Sequence, residues 1–263
     1  MIAKRWSGKR WSGLLVAWLV ALGAPAGRAQ VAPAQNSVGP AHYGDIGDPL
    51  KWPLSAIGTV MVTWGIAHTQ QCTGTLVGPK LVLTAAHCVF YGDKLVPPAN
   101  VHFLAGLNKG VPGAHSPAAR LDVSPGFVRA EISAVNDWAL ITLQEPLDIK
   151  PVEVRALNAA EFREIAEANT AMQAGYGKDR RYLPSVHRNC AIAAGPKEET
   201  FTLRCLLNFG YSGSPILAEV SGAPVIIGIL SWMTTPPDPG ARIGTACAST
   251  QFAARVVELL RTK

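Results

Sequence analysis

Three short stretches carry side chains whose types could do chemistry. "LTAAHC" (83–88) sets His87 beside Cys88 at the end of an apolar run, and "NDWALITL" (136–143) sets Asp137 just ahead of another. "GYSGSP" (210–215) holds Ser212 in a tight turn, with Gly210 and Gly213 around it and Pro215 closing it. Each is ordinary alone: a histidine among small residues, an acid at a strand start, a Ser/Gly loop. Together, an imidazole, a carboxylate and a hydroxyl are the groups that nucleophilic catalysis combines. All three stand at the mouth of β-like segments, in the order His, Asp, Ser.

The compartment decides what the cysteines mean. Lys4, Arg5, Lys9 and Arg10 precede an uncharged stretch, Trp11 to Gly27, centred on "LLVAWLVAL" and closed by the small residues of "GAPAGRAQ". A basic start, a short apolar core and a small-residue exit describe a secretory signal peptide over residues 1–29. The apolar core is shorter than the ~20 residues of a membrane span, so no membrane association is expected after cleavage. The mature chain is therefore expected to be secreted or periplasmic. Cys72, Cys88, Cys190, Cys205 and Cys247 are then disulfide candidates before they are ligands or nucleophiles. No C-x-x-C pair and no zinc-type His–Cys spacing occurs, and neither metal nor cofactor is expected. The net charge of +6 includes the four cations that open the signal segment, and no Lys/Arg cluster follows. Nucleic acid is accordingly excluded as a partner.

The elements that must position these residues are mostly strands. Residues 30–48, rich in Ala, Pro and Gly, read as a leader or propeptide. Beyond it, short runs such as "AIGTVMVTW", "CTGTLVG", "NVHFLAG", "FTLRCLL" and "PVIIGILSW" alternate with Gly, Pro and Ser turn signals. "LVGPKLVL" reads as a hairpin. Two helices are predicted, one over "NAAEFREIAEAN" (158–169) and one over "STQFAARVVELLRT" (249–262). The second has Ser249 or Thr250 as N-cap and an apolar stripe of Phe252, Val256, Leu259 and Leu260. The strands divide near residue 155, which predicts an all-β chain of two barrels, 49–155 and 156–263, the second carrying the terminal helix.

"TGTLVGPKLVLTAAHCV", "DWALITL", "GYSGSP" and "GILSW" occur in the order found in the chymotrypsin- and trypsin-like serine endopeptidases, and the chain resembles that family over about residues 50–260. "PLSAIGTV" and "SGSP" look most like the bacterial branch that includes the glutamyl endopeptidases. The resemblance implies two six-stranded antiparallel β-barrels with a C-terminal α-helix, and a site in the cleft between them. It implies His87 as general base, Asp137 as its orienting carboxylate, and Ser212 as nucleophile, attacking peptide bonds of a protein or peptide substrate through an acyl-enzyme. The N–H groups of Gly210 and Ser212 would form the oxyanion hole. The resemblance also pairs Cys72 with Cys88, and Cys190 with Cys205 is expected to follow; closing loops of about 15 residues contributes roughly 3 kcal/mol each. Cys247 is left as a buried thiol. The substrate pocket falls to Leu206, Leu230, Ser231, Trp232 and Met233. None of these carries a charge, so a small-to-medium apolar residue is expected at the cleavage position. Tyr211 stands where trypsin-like members carry an aspartate, so activation by a buried N-terminal ion pair is not expected. The chain is expected to be monomeric. The competing class is a protease-fold binding protein without catalysis.

Overall fold

The computed structural model describes residues 44–65, 68–131, 133–195, 199–234 and 242–261. The signal segment and most of the expected leader lie outside them. In the first half run β1 (Asp45–Ile46), β2 (Ile57–Trp64), β3 (His68–Gly78), β4 (Leu81–Thr84), β5 (Phe90–Tyr91), β6 (Lys94–Leu95), β7 (Val101–Ala105), β8 (Ala114–Val123) and β9 (Ala139–Leu143). The second half holds β10 (Glu153–Val154), helix α1 (Ala159–Ala168), β11 (Ala171–Gly175), β12 (Ser185–Ala194) and β13 (Thr200–Arg204). It continues with β14 (Pro215–Val220), β15 (Ala223–Met233), β16 (Gly244–Ala248) and helix α2 (Ala253–Arg261).

The first barrel closes in the order β2-β3-β4-β9-β8-β7. Its strands close because their apolar residues share one interior: β7 alternates buried and half-buried along "VHFLA", and all of "LVLT" in β4 is buried. The "GPK" turn joins β3 to β4 as the predicted hairpin, with Leu76 opposite Val82 and Gly78 opposite Leu81. In the second barrel β12, β11, β14, β15, β16 and β13 follow one another, and pairing of β12 with β13 closes the ring. The two six-stranded antiparallel barrels and the terminal helix read from the sequence are therefore present. A short strand from the connection between the barrels, β10, adds parallel to β15. Closure leaves few free edges to manage.

Helix α1 is held by its ends. The Asn158 side chain accepts from the Ala160 and Glu161 N–H groups, and Glu161 reaches back to the Asn158 N–H, a complete capping box. Asn169 closes the other end in the left-handed region, at φ 52°.

Two boundaries differ from the sequence reading. Residues 45–46, assigned to the leader, form β1 on the outer edge of β12, with Asp45 opposite Val186 and Ile46 opposite Ser185. Glycines make the approach feasible: a Cβ at Gly44 would fall 2.5 Å from the His187 ring, and one at Gly47 would strike Leu54. The free backbone groups of β12 supply the partners. The second difference is at α2. Ser249–Gln251 forms a 3-10 turn, and the Ser249 hydroxyl donates to the Arg155 carbonyl at 2.7 Å instead of capping the helix. Phe252 and Val256 are buried in the cluster that also holds Leu81, Trp138 and Leu140 of the first barrel. Leu259 packs partly against it, while Leu260 is half-exposed. Arg255 clamps the helix to β8 through Asp122, at 2.6 and 3.0 Å.

Candidate active site

His87 sits in the 3-10 turn Ala86–Val89 that follows β4, and Asp137 ends the turn Ala134–Asn136 that leads into β9. Because β4 and β9 are neighbours, their ends bring the two residues together. Asp137 is fully buried. Its Oδ1 accepts the His87 backbone N–H at 2.9 Å, and its Oδ2 accepts His87 Nδ1–H at 2.7 Å. A third donor was not anticipated: the buried Ser231 hydroxyl reaches the same Oδ2 at 2.5 Å. The sequence reading put Ser231 at the pocket rim; it lines the cleft but also supports the carboxylate. Three donors compensate the desolvation of a buried charge and fix the tautomer that leaves Nε2 free to accept.

Ser212 lies in the loop between β13 and β14, on the same cleft as His87. The loop needs its glycines: Gly210 has φ +97° and Gly213 φ +78°. A Cβ at Gly210 would meet the Tyr176 carbonyl at 2.7 Å, and one at Gly213 would strike Thr84 and Thr73. Among the described residues neither the Gly210 nor the Ser212 N–H has an acceptor, while Gly213 N–H donates to Leu230 and Ser214 N–H to Tyr211. Ser214 is buried, and its hydroxyl accepts from Gln173 Nε2 at 2.8 Å.

Thr73 in β3, which sequence reasoning passed over, pins this loop to the first barrel. Its N–H donates to the Ser212 carbonyl at 2.9 Å. Its hydroxyl donates to the Gly210 carbonyl at 3.1 Å and accepts the Tyr176 N–H at 3.0 Å. His87 Nε2 lies 3.7 Å from Cys88 Sγ, and no hydrogen bond joins it to the Ser212 hydroxyl.

Cys72 is bridged to Cys88 and Cys190 to Cys205. The first bridge sits beside His87, and the sulfurs and imidazole lie within 4.8 Å of one another. Once bridged, those sulfurs are not thiolates and do not make a metal site. Cys247 is buried and unbridged, donates to the Val135 carbonyl at 3.3 Å, and has its pKa pushed well up by burial and then by Asp137. Such a thiol is not a nucleophile.

The cleft, about 280 Å³, is lined by His87, Ser212, Leu230, Ser231, Trp232 and Met233, joined by Arg129, Asn208 and Phe209. Leu206 is not among the residues lining it: the chain between Leu206 and Ser212 turns so that Asn208 and Phe209 reach the opening. No local pattern in the sequence distinguishes Arg129, Asn208 or Phe209 from surface residues.

The trypsin family profile matches residues 53–256. The chain is 24% identical over 221 residues to the cercarial protease of Schistosoma mansoni, covering 73% of this chain and 80% of that protein. It is 25% identical over 177 residues to the modular serine protease of Drosophila melanogaster, covering 57% of this chain but only 28% of that much longer protein. Both relatives are proteases of animals, which gives no support to the bacterial, glutamyl-endopeptidase-like branch suggested by "PLSAIGTV" and "SGSP". A match spanning most of the sequence, on a fold of two closed barrels, shows that the chain belongs to the trypsin family.

Proposed function

We propose that the chain is an exported serine endopeptidase that cleaves peptide bonds through an acyl-enzyme on Ser212. The observation that carries this reading is the double hydrogen bond from His87 to the buried Asp137 on the cleft that Ser212 lines. In this mechanism Ser212 Oγ attacks the scissile carbonyl carbon and its proton passes to His87 Nε2. The same proton goes to the leaving amine as the C–N bond breaks. Water, deprotonated by His87, then hydrolyses the ester and restores the serine. Asp137 stays ionised and holds the imidazole. The N–H groups of Gly210 and Ser212, which have no acceptor among the described residues, receive the developing oxyanion; losing one such donor costs on the order of 10²–10³ in rate. Leu230, Trp232 and Met233 give the cleft apolar walls for the residue at the cleavage position. Two disulfides suit an oxidising compartment, and among the described residues no helix is long and apolar enough to cross a membrane. Protein or peptide is the substrate class, and a monomer suffices for the site.

One observation favours the alternative, a protease-fold binding protein: among the described residues no hydrogen bond joins His87 Nε2 to the Ser212 hydroxyl, and Nε2 instead lies 3.7 Å from Cys88 Sγ. Base–nucleophile bonds commonly tighten only in the substrate complex. Labelling the processed protein with a fluorophosphonate and mapping the adduct decides between them. A single adduct on Ser212, absent from Ser212→Ala, is expected. Properly folded protein that takes no label would leave the binding protein.

A further inference from the structure

The cleft carries a charge that hydrolysis does not use. Arg129 begins the 3-10 turn Arg129–Glu131 between β8 and β9, and its side chain lines the cleft together with His87 and Ser212. The side chain is half-buried, its Nε is shut off from solvent without an acceptor, and Arg129 makes no ion pair among the described residues. The guanidinium is therefore left with donor capacity that no protein group uses.

Among the described residues no aspartate or glutamate lines the cleft to neutralise it. Asp137 lies beneath with both oxygens engaged, and Glu131, on the same turn as Arg129, is exposed and turned to solvent. Two further cations contact residues of the Leu207–Phe209 stretch, of which Asn208 and Phe209 line the cleft. Arg242 donates to the Leu207 carbonyl at 2.7 Å and to Asn208 Oδ1 at 3.5 Å, and its own Nε is buried without an acceptor. Lys178 Nζ lies 5.4 Å from the centre of the Phe209 ring. Cations in and beside the cleft lend a positive field to whatever enters it.

We propose that Arg129 binds a carboxylate of the substrate, so that the chain selects peptides with Asp or Glu beside an apolar residue at the scissile bond. A guanidinium fork fits that group, since it pairs with both carboxylate oxygens at once. The proposal rests on the peptidase reading of the same cleft. It also amends the expectation of a cleft without charge, because Arg129 reaches the opening from a turn far from Ser212 in sequence.

The test uses quenched fluorescent peptides that share an apolar cleavage residue and carry Glu or its uncharged isostere Gln at each flanking position in turn. The full chain is expected to favour Glu over Gln at one flanking position by about tenfold in kcat/KM, the factor that one net charge-assisted hydrogen bond supplies. The ratio should shrink as salt is raised. It should fall to about one in Arg129→Gln, survive in part in Arg129→Lys, and turn toward Lys-bearing peptides in Arg129→Glu. Equal rates for Glu and Gln at every position, or a preference that survives Arg129→Gln, overturn it. Binding to Ser212→Ala, followed by fluorescence anisotropy, separates the two readings. If the wild type hydrolyses nothing, the peptidase reading fails, while a Glu preference in binding that disappears in the Ser212→Ala/Arg129→Gln double variant still upholds the role of Arg129. No preference in binding defeats it.

Discussion

Asp137 receives three hydrogen bonds, and each has a different consequence if removed. Ser231→Ala deletes the shortest while leaving the imidazole bond in place. A buried carboxylate short of one donor is destabilised by about 1–3 kcal/mol and holds the histidine less firmly. Ser231→Ala should therefore lower kcat about tenfold with little change in KM; an unchanged kcat would show that the backbone and imidazole donors suffice. Ser212→Ala and His87→Ala should each reduce hydrolysis to near background without loss of fold. Ser214→Ala, two residues away, should keep most activity, since its hydroxyl is engaged by Gln173 inside the barrel. Loss of activity in Ser214→Ala with retention in Ser212→Ala would shift the nucleophile by two residues. His87, Asp137 and Ser212 stood out in the sequence because unlike groups recurred at strand mouths in a fixed order. Ser231 did not, because a serine inside "GILSW" looks the same whether it faces a cleft or a carboxylate.

At the scale of elements, the serine loop belongs to the second barrel but is fastened by a strand of the first. Thr73 donates to Gly210 and accepts from Tyr176 while fully buried. Thr73→Val keeps the shape and the β-propensity and removes both bonds, leaving a carbonyl and an N–H unpaired. A loss of about 2–4 kcal/mol in denaturant unfolding is expected, together with a fall in kcat as Gly210 loosens. Stability loss without any change in kcat would mean that the oxyanion site is held from the second barrel alone. The strands, the "GPK" hairpin and both helices were legible because alternation and end signals are local. The fastening by Thr73 was not, since it joins residues 137 positions apart. The start of α2 was misplaced for a related reason: Ser249 has the composition of an N-cap, but the Arg155 carbonyl, distant in sequence, takes its hydroxyl. Local signals report what a residue can do, and tertiary partners decide which of those options is used.

At the scale of the whole molecule, strand β1 reaches the serine loop through one buried histidine. Gly44 lies on the His187 ring, and that ring meets Tyr211, the neighbour of Ser212, edge-on at 5.6 Å. Nothing in "AHYGDIGD" signals a strand, because two residues of pairing leave no period to read; the pairing exists because β12 offers a free edge. His187 is only 7% exposed, its Nε2 is buried without a partner, and burial lowers its pKa to about 4. Asp179 and Asp45 favour its charged form, and Arg180 opposes it, but burial prevails. The folded protein therefore keeps this imidazole neutral where the unfolded chain, with an ordinary pKa near 6.5, protonates it. The unfolded state binds more protons between about pH 6.5 and pH 4, so stability is fully present above that window, falls as pH drops through it and levels off below. The contribution at stake is on the order of a few kcal/mol. Thermal unfolding followed from pH 7.5 to pH 4.5 should show the midpoint falling with acid in the wild type and falling less steeply in His187→Gln. A chain beginning at Pro49 should resemble that variant, because without Gly44 and β1 the ring is open to water and its pKa returns toward the ordinary value. If His187→Gln loses stability with acid as steeply as the wild type, the acid sensitivity belongs to other groups. If the Pro49 chain keeps the steep wild-type slope, β1 does not shield the ring.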